Sequence, residues 1–263
     1  MFKLPPKPPY PSPRPTPKRL LTRKTVTFIL GLKCVDGLVL FSDSLESDGY
    51  VTKNVQKIFW FEHPGKWGVA FGCSGSAAAC SNFGDRLLDQ LRAEKSFDRR
   101  TMEKQIELHV NYFSQQYPKE RLQIVIGLYS METQETRLYL ANTDNECLSV
   151  QTDYACAGMD VSLARFLLDS VYDERVTVTN AMHLGAFITC VMKEKADGVA
   201  GPTQILSFRV NHPHWFAPEP KVITRIERGG FIEGQFRFEE LEKTVRHFFW
   251  TRSPHEFTPE KKR

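Results

Sequence analysis

The dipeptide Asp36-Gly37 separates two apolar runs, 26–33 and 38–42, and this arrangement constrains the fold more than any other stretch of the chain. Asp-Gly accepts the positive φ angles of a tight hairpin turn, and apolar, partly β-branched flanks favour extended backbone. The stretch therefore predicts a β-hairpin. Its first strand opens on hydroxyls, Thr25 and Thr27, and its second closes on the carboxylate of Asp43. Antiparallel pairing brings that carboxylate beside Thr27.

Further short elements follow. KIFWF (57–61) and KWGVAFG (66–72) flank EHPG as a second hairpin. From Ser76 to Arg92, the spacing of Phe83, Leu87, Leu88 and Leu91 predicts one apolar helical face, and 101–116 reads as another helix. RLQIVIGLYS, TRLYLAN and CLSVQT then read as strands, DVSLARFLLDSVYD and TNAMHLGAFITCVMKEK as amphipathic helices, and TQILSFRV and KVITRIER as strands. Helices segregated from antiparallel strands indicate an α+β layered domain over 25–228. Residues 229–263 read as an appended extension, with a helix expected around 238–249.

The first 24 residues are of a different kind. Eight prolines fall within 1–17, which denies that stretch both ladder donors and helix hydrogen bonds, so a disordered or polyproline-like tail is expected. Residues 1–26 also hold seven basic side chains and no acid. Without them 28 basic residues face 31 acidic ones, a net charge of −3 against +4 for the whole chain. The basicity belongs to the tail, and the folded part offers no electrostatic case for nucleic acid. No apolar run reaches the 18 or so residues of a membrane span, and no apolar stretch follows the basic N-terminus as in a secretory signal. The six cysteines form no CxxC pair and read as buried free thiols in a reducing, cytoplasmic setting. His212 and His214 read as a solvated loop rather than a metal site. GCSGSAAA lacks the Lys-Ser/Thr ending of a phosphate loop, so no cofactor is expected, and any ATP dependence would come from a separate unfoldase partner.

Thr27, Asp43 and Lys57 suggest one chemistry. A threonine hydroxyl needs a base, and the threonine's own α-amine serves if it is the first residue. That amine, with a pKa near 8, suits proton transfer at neutral pH. A neighbouring ammonium lowers that pKa, and a carboxylate holds the ammonium in place. Each residue taken alone also fits an ordinary structural place in or beside a strand.

TFILGLKCVDGLVLFSDS, followed by VQKIFWF and GVAFGCSGSAAACSNFGDRLLDQL, resembles proteasome β subunits and their bacterial proteasome-like relatives, which are N-terminal-nucleophile hydrolases. The likeness runs through IVIGLYSMETQETRLYLAN and ACAGMD to ADGVAGPTQILSF, covering about 25–210. It implies a four-layer αββα sandwich of antiparallel sheets. It also implies a threonine-type peptidase with Thr27 as nucleophile and Asp43 and Lys57 tuning it. Gly75 would donate its backbone N–H to the oxyanion, Asp197 would support the threonine amine, and Ser47 would lie where a bound peptide makes backbone contacts. Partners implied are a peptide or unfolded protein substrate and further copies of the chain in a homo-oligomeric ring.

The sequence also departs from the family pattern. Ala157 and Ala200 stand where the family has serines, and Val26, stiff at χ1, stands where a glycine precedes the nucleophile. Self-cleavage before Thr27 is therefore not expected. Instead we expect Val26 to be a GTG start read as methionine, whose removal exposes Thr27. Two alternatives stay open: a catalytically silent proteasome-like structural subunit, and a small-molecule amidase on the same fold.

Overall fold

The computed structural model describes residues 27–47, 51–93 and 98–227. The Pro-rich stretch and the extension from 229, with its expected helix, lie outside the described residues. In chain order the elements are β1 (Phe28–Cys34), β2 (Gly37–Ser42), β3 (Leu45–Ser47), β4 (Thr52–Asn54), β5 (Ile58–His63) and β6 (Trp67–Ser74). Then come α1 (Ala77–Ala93), α2 (Arg99–Gln116), β7 (Gln123–Ser130), β8 (Thr136–Asn142), β9 (Cys147–Gln151) and β10 (Tyr154–Gly158). The described part ends with α3 (Val161–Val171), α4 (Val178–Lys195), β11 (Gln204–Arg209), β12 (His212–Phe216) and α5 (Pro220–Glu227).

Two five-stranded sheets form, ordered β10-β1-β2-β11-β12 and β5-β6-β7-β8-β9, with every pairing antiparallel. α3, α4 and α5 cover the outer face of the first sheet, and α1 and α2 cover the second. The result is the four-layer αββα sandwich.

Central strands are covered on both faces, so successive residues enter different cores. Phe28, Leu30 and Leu32 of β1 face the helices, whereas Ile29 faces the other sheet. Trp67, Val69, Phe71 and Cys73 of β6 pack under α1 and α2, while Ala70 joins the inter-sheet layer. This is why the strands read as continuous apolar runs rather than alternating ones. The layer between the sheets is thin, and a Cβ on Gly72 would stand 2.8 Å from Ile29 Cγ2.

The structure corrects several sequence readings. Residues 221–228 were expected to form a strand on their β-branched content, but α5 forms there. Ile223 and Ile226 lie three apart on one buried helical face, and Pro220 occupies the first helical position, where its missing N–H is not needed. His212 and His214, expected in a loop, lie in β12. There the Glu62 carboxylate of β5 accepts from the backbone N–H of Trp215 and meets His214 Nδ1 at 3.2 Å. β10 and the β3–β4 hairpin were not anticipated at all. Cys147 is exposed, whereas the other five cysteines are buried or half-buried, and all six are free thiols. Among the described residues no helix is long and apolar enough to cross a membrane, and no cluster of three His, Cys, Asp or Glu could hold a metal.

Asp36 does more than turn the hairpin. Its Oδ1 accepts from Val178 N at 2.7 Å, at the start of α4, and its carbonyl accepts from Val210 N at 2.9 Å. The first hairpin is thereby tied to α4 and to the β11–β12 turn.

His109, buried in α2, bonds through Nε2 to the Phe83 carbonyl at 3.1 Å and packs edge-on to the Phe83 ring. Burial lowers its pKa below the ordinary value, with Arg86 contributing and the Phe83 bond opposing. As pH falls through about 6.5 the unfolded chain takes up a proton that the folded chain resists. The stability tied to neutral His109 is thus complete above that pH and is lost below it. Urea unfolding at pH 7.5 and pH 5 should show a drop in wild type that is smaller in His109→Gln.

Candidate active site

The hairpin register pairs Ile29 with Ser42, so Phe28 and Asp43 are the next residues outward. Asp43 N donates to Phe28 O at 3.3 Å, and the Asp43 carboxylate returns the contact, Oδ1 accepting from Phe28 N at 2.9 Å. The backbone immediately after Thr27 is thereby held by the carboxylate. Oδ2 accepts from Lys57 Nζ at 2.9 Å, from Leu45 N at 3.2 Å and from Ala200 N at 3.5 Å. Lys57 Nζ also donates to Leu45 O at 2.6 Å.

This ion pair is out of solvent, with Asp43 at 0% and Lys57 at 8% exposure. Burial lowers the Lys57 pKa, and Asp43, through charge and hydrogen bond, opposes that shift. Gln204 sets the lysine's backbone from β11: its Oε1 accepts from Lys57 N at 2.8 Å and Ile58 N at 3.3 Å, and its Nε2 donates to Val55 O.

Thr27 is fixed from its other side. Its carbonyl accepts from Met159 N at 3.0 Å. Gly158 has φ +109°, and a Cβ there would stand 1.8 Å from Thr27 O, so only glycine fits. Gly158 N donates to Gln123 Oε1 at 2.9 Å.

Two cavities meet at Thr27 and Gly75, which line both. One, of about 280 Å³, is lined by Lys57, Val55, Phe59, Cys73 and Cys80, and also by Glu46 and Lys53, a cross-strand ion pair at 3.5 Å. The other, of about 500 Å³, is polar, with Glu120, Arg121, Gln123, Asn142 and Asp144 in its wall. Gly75 ends the β6 side of the wall at the start of α1. A Cβ on it would lie 2.3 Å from Leu122 Cδ2. Ser76 caps the helix, its Oγ accepting from Ala79 N at 3.3 Å and donating to Glu120 Oε2 at 2.8 Å.

Thr27, Asp43, Lys57 and Gly75 therefore come together. Asp197 is exposed in the turn after α4 and lines neither Thr27 cavity, and Ser47 ends β3 opposite Thr52. Ala157 is fully buried in the inter-sheet layer and lines neither cavity. Ala200 takes part only through its backbone, donating to Asp43 and accepting from Leu45 N at 3.0 Å. The roles of Gln204, Gln123 and Gly158 went unread in the sequence. Each acts across 35 or more residues, with no local pattern to mark it.

A buried carboxylate thus holds an ammonium that lines the same cavity as Thr27. Residues 24–198 match the family model of proteasome subunits. The chain belongs to the proteasome subunit family. Solved structures similar to it include Anbu of Hyphomicrobium sp. strain MC1 (a Gly-1 mutant), at TM-score 0.67 and 12% identity, covering 89% of this chain and all of that one. Anbu of Yersinia bercovieri, an ancestral beta-subunit, matches at TM-score 0.65 and 12% identity, over 90% of this chain and all of that one. The helical assembly of the Pseudomonas aeruginosa Anbu complex matches at 0.66 and 14%, over 89% and 98% of the two chains. At such identities these structures show the fold. No curated protein matches the chain.

Removing the ammonium strands a buried carboxylate, which typically costs about 3–5 kcal/mol. Lys57→Ala should lower the unfolding free energy by about that amount in urea titration. Lys53→Ala, which breaks the exposed pair with Glu46, should change it by less than about 1 kcal/mol.

Proposed function

We propose that this proteasome-family subunit is a threonine-type peptidase whose nucleophile is Thr27, made N-terminal by loss of residues 1–26. The supporting observation is the buried Asp43 carboxylate, which grips the backbone after Thr27 with one oxygen and the Lys57 ammonium with the other. Thr27 Oγ attacks the scissile carbonyl while the Thr27 α-amine takes its proton. The amine then passes that proton to the departing amine of the substrate, leaving an acyl ester on Oγ. Water, deprotonated by the same amine, hydrolyses the ester. Lys57 favours the neutral amine by charge repulsion, and the Gly75 turn at the helix N-terminus stabilises the oxyanion. The two cavities that meet at Thr27 suit a chain passing across it. The acyl side lies against Val55, Phe59 and the two cysteines, and the leaving side against the polar wall.

In this reading the substrate is a peptide or an unfolded protein. The subunit acts in the cytoplasm as a homo-oligomer, supplied by a separate ATP-dependent unfoldase. The helical assembly of the Pseudomonas aeruginosa Anbu complex supports an oligomer but not its form. One observation favours a second reading, a catalytically silent subunit. Asp197, the residue expected to support the amine, is exposed and lines neither Thr27 cavity.

A chain beginning at Thr27 should hydrolyse a fluorogenic peptide at least 10³-fold faster than its Thr27→Ala variant, and the full chain should be inactive. Equal rates for Thr27→Ala, or undiminished activity of the full chain, would contradict the peptidase reading. The rate should fall as pH drops below the amine pKa, near 8 or lower. Lys57→Met, if it folds, should move that limb to higher pH, because a positive charge that favours the neutral amine is gone.

A further inference from the structure

Two of the six free cysteines line the cavity beside Thr27. Cys73 is buried near the end of β6, and Cys80 is half-buried in the first turn of α1. They lie on consecutive elements and line one cavity of about 280 Å³. Between them run Ser74, Gly75 and Ser76, the turn that separates the two cavities. We propose that Cys73 and Cys80 are a redox-modification site, oxidised reversibly by a hydroperoxide to a disulfide whose closure displaces the Gly75 turn. The site stands by itself; its effect on Thr27 rests on the peptidase reading above.

The order of events follows from exposure. Burial pushes the Cys73 thiol well above its ordinary pKa, which keeps it protonated. Cys80 is half-buried and lines the cavity together with Lys57, so a peroxide entering the cavity reaches this sulfur before the buried Cys73. The Cys80 thiolate attacks a peroxide oxygen, breaking the O–O bond. Sulfur is oxidised to the sulfenic acid, and the other oxygen leaves, with a proton, as water or alcohol. Cys73 sulfur then attacks Cys80 sulfur. The S–S bond forms, the S–O bond breaks, and hydroxide departs with the Cys73 proton as a second water. Two thiols lose two electrons and two protons, and one peroxide is reduced.

Closure is not silent for the turn. The sulfurs must close to a bond of about 2.05 Å, drawing the end of β6 towards α1. The turn has no slack, since Gly75 already packs so closely on Leu122 that a Cβ would overlap it. Misplacing one oxyanion donor costs about 10²–10³ in rate where it has been measured.

The test treats the reduced full chain with hydrogen peroxide, blocks remaining thiols, and maps the digest by mass spectrometry. A peptide linking Cys73 to Cys80, released by dithiothreitol and absent from Cys80→Ser and Cys73→Ser, is the expected result. Cys80 carrying added oxygen with Cys73 still alkylatable would overturn the proposal. A second arm uses the chain beginning at Thr27 and a threonine-directed electrophile. Labelling should slow at least tenfold on oxidation and recover on reduction, and Cys80→Ser should be indifferent to peroxide. Equal labelling in both states refutes the coupling. No labelling even when reduced refutes the peptidase reading, and the linked peptide is still judged on the first arm.

Discussion

A carboxylate with no access to water must be surrounded by donors, and Asp43 is surrounded by four: Phe28 N, Leu45 N, Lys57 Nζ and Ala200 N. They come from β1, β3, the start of β5 and the loop before β11. One side chain therefore joins the two strands of the first hairpin to β3, to the start of β5 and to the loop before β11, and it does so one residue from Thr27. A charge buried this way is stable only while its partners stay in place. The ammonium is consequently held in the wall of the cavity that Thr27 also lines. The cavities, the Gly75 turn and the proposed chemistry are all arranged around this pair.

The layered fold serves the pair by supplying rigid walls. Strands of both sheets are covered on two faces, so β1, β2 and β6 cannot shift without disturbing two cores at once. Thr27 lies at the end of such a strand, β1, and Lys57 directly precedes the edge strand β5. Gln204 and Gln123 complete the support by bonding backbone groups that the strand ladders leave unpaired around Lys57 and Gly158.

Much of this was legible in the sequence, because the hairpin that carries Thr27 and Asp43 is local. Its turn dipeptide, apolar runs and ten-plus-six spacing to Gly37 and Asp43 can be read directly. The helices α1 to α4 were legible for the same reason, as periodicity is a local signal. Residues 221–228 misled because a short run rich in Val, Ile and Thr carries strand propensity, whereas tertiary burial of Ile223 and Ile226 against α4 selects the helix. β12 was hidden by its histidines and proline, and its place depends on Glu62 from 150 residues away. In the site, Asp197 and Ser47 were assigned by resemblance alone, and their surroundings follow from loop paths that no motif encodes. Ala157, read as a missing hydroxyl, is buried between the sheets, where an unpartnered hydroxyl would be a liability.

Everything proposed for catalysis turns on whether Thr27 carries a free amine. The direct measurement is the intact mass and N-terminal sequence of the protein isolated from its native cell. A chain beginning at Thr27 is the expected result, and it would place the nucleophile at the head of the first hairpin with its own base. A chain that keeps residues 1–26 would contradict the central claim, since Thr27 would then have no amine to take its proton, and the Asp43–Lys57 pair would serve structure alone.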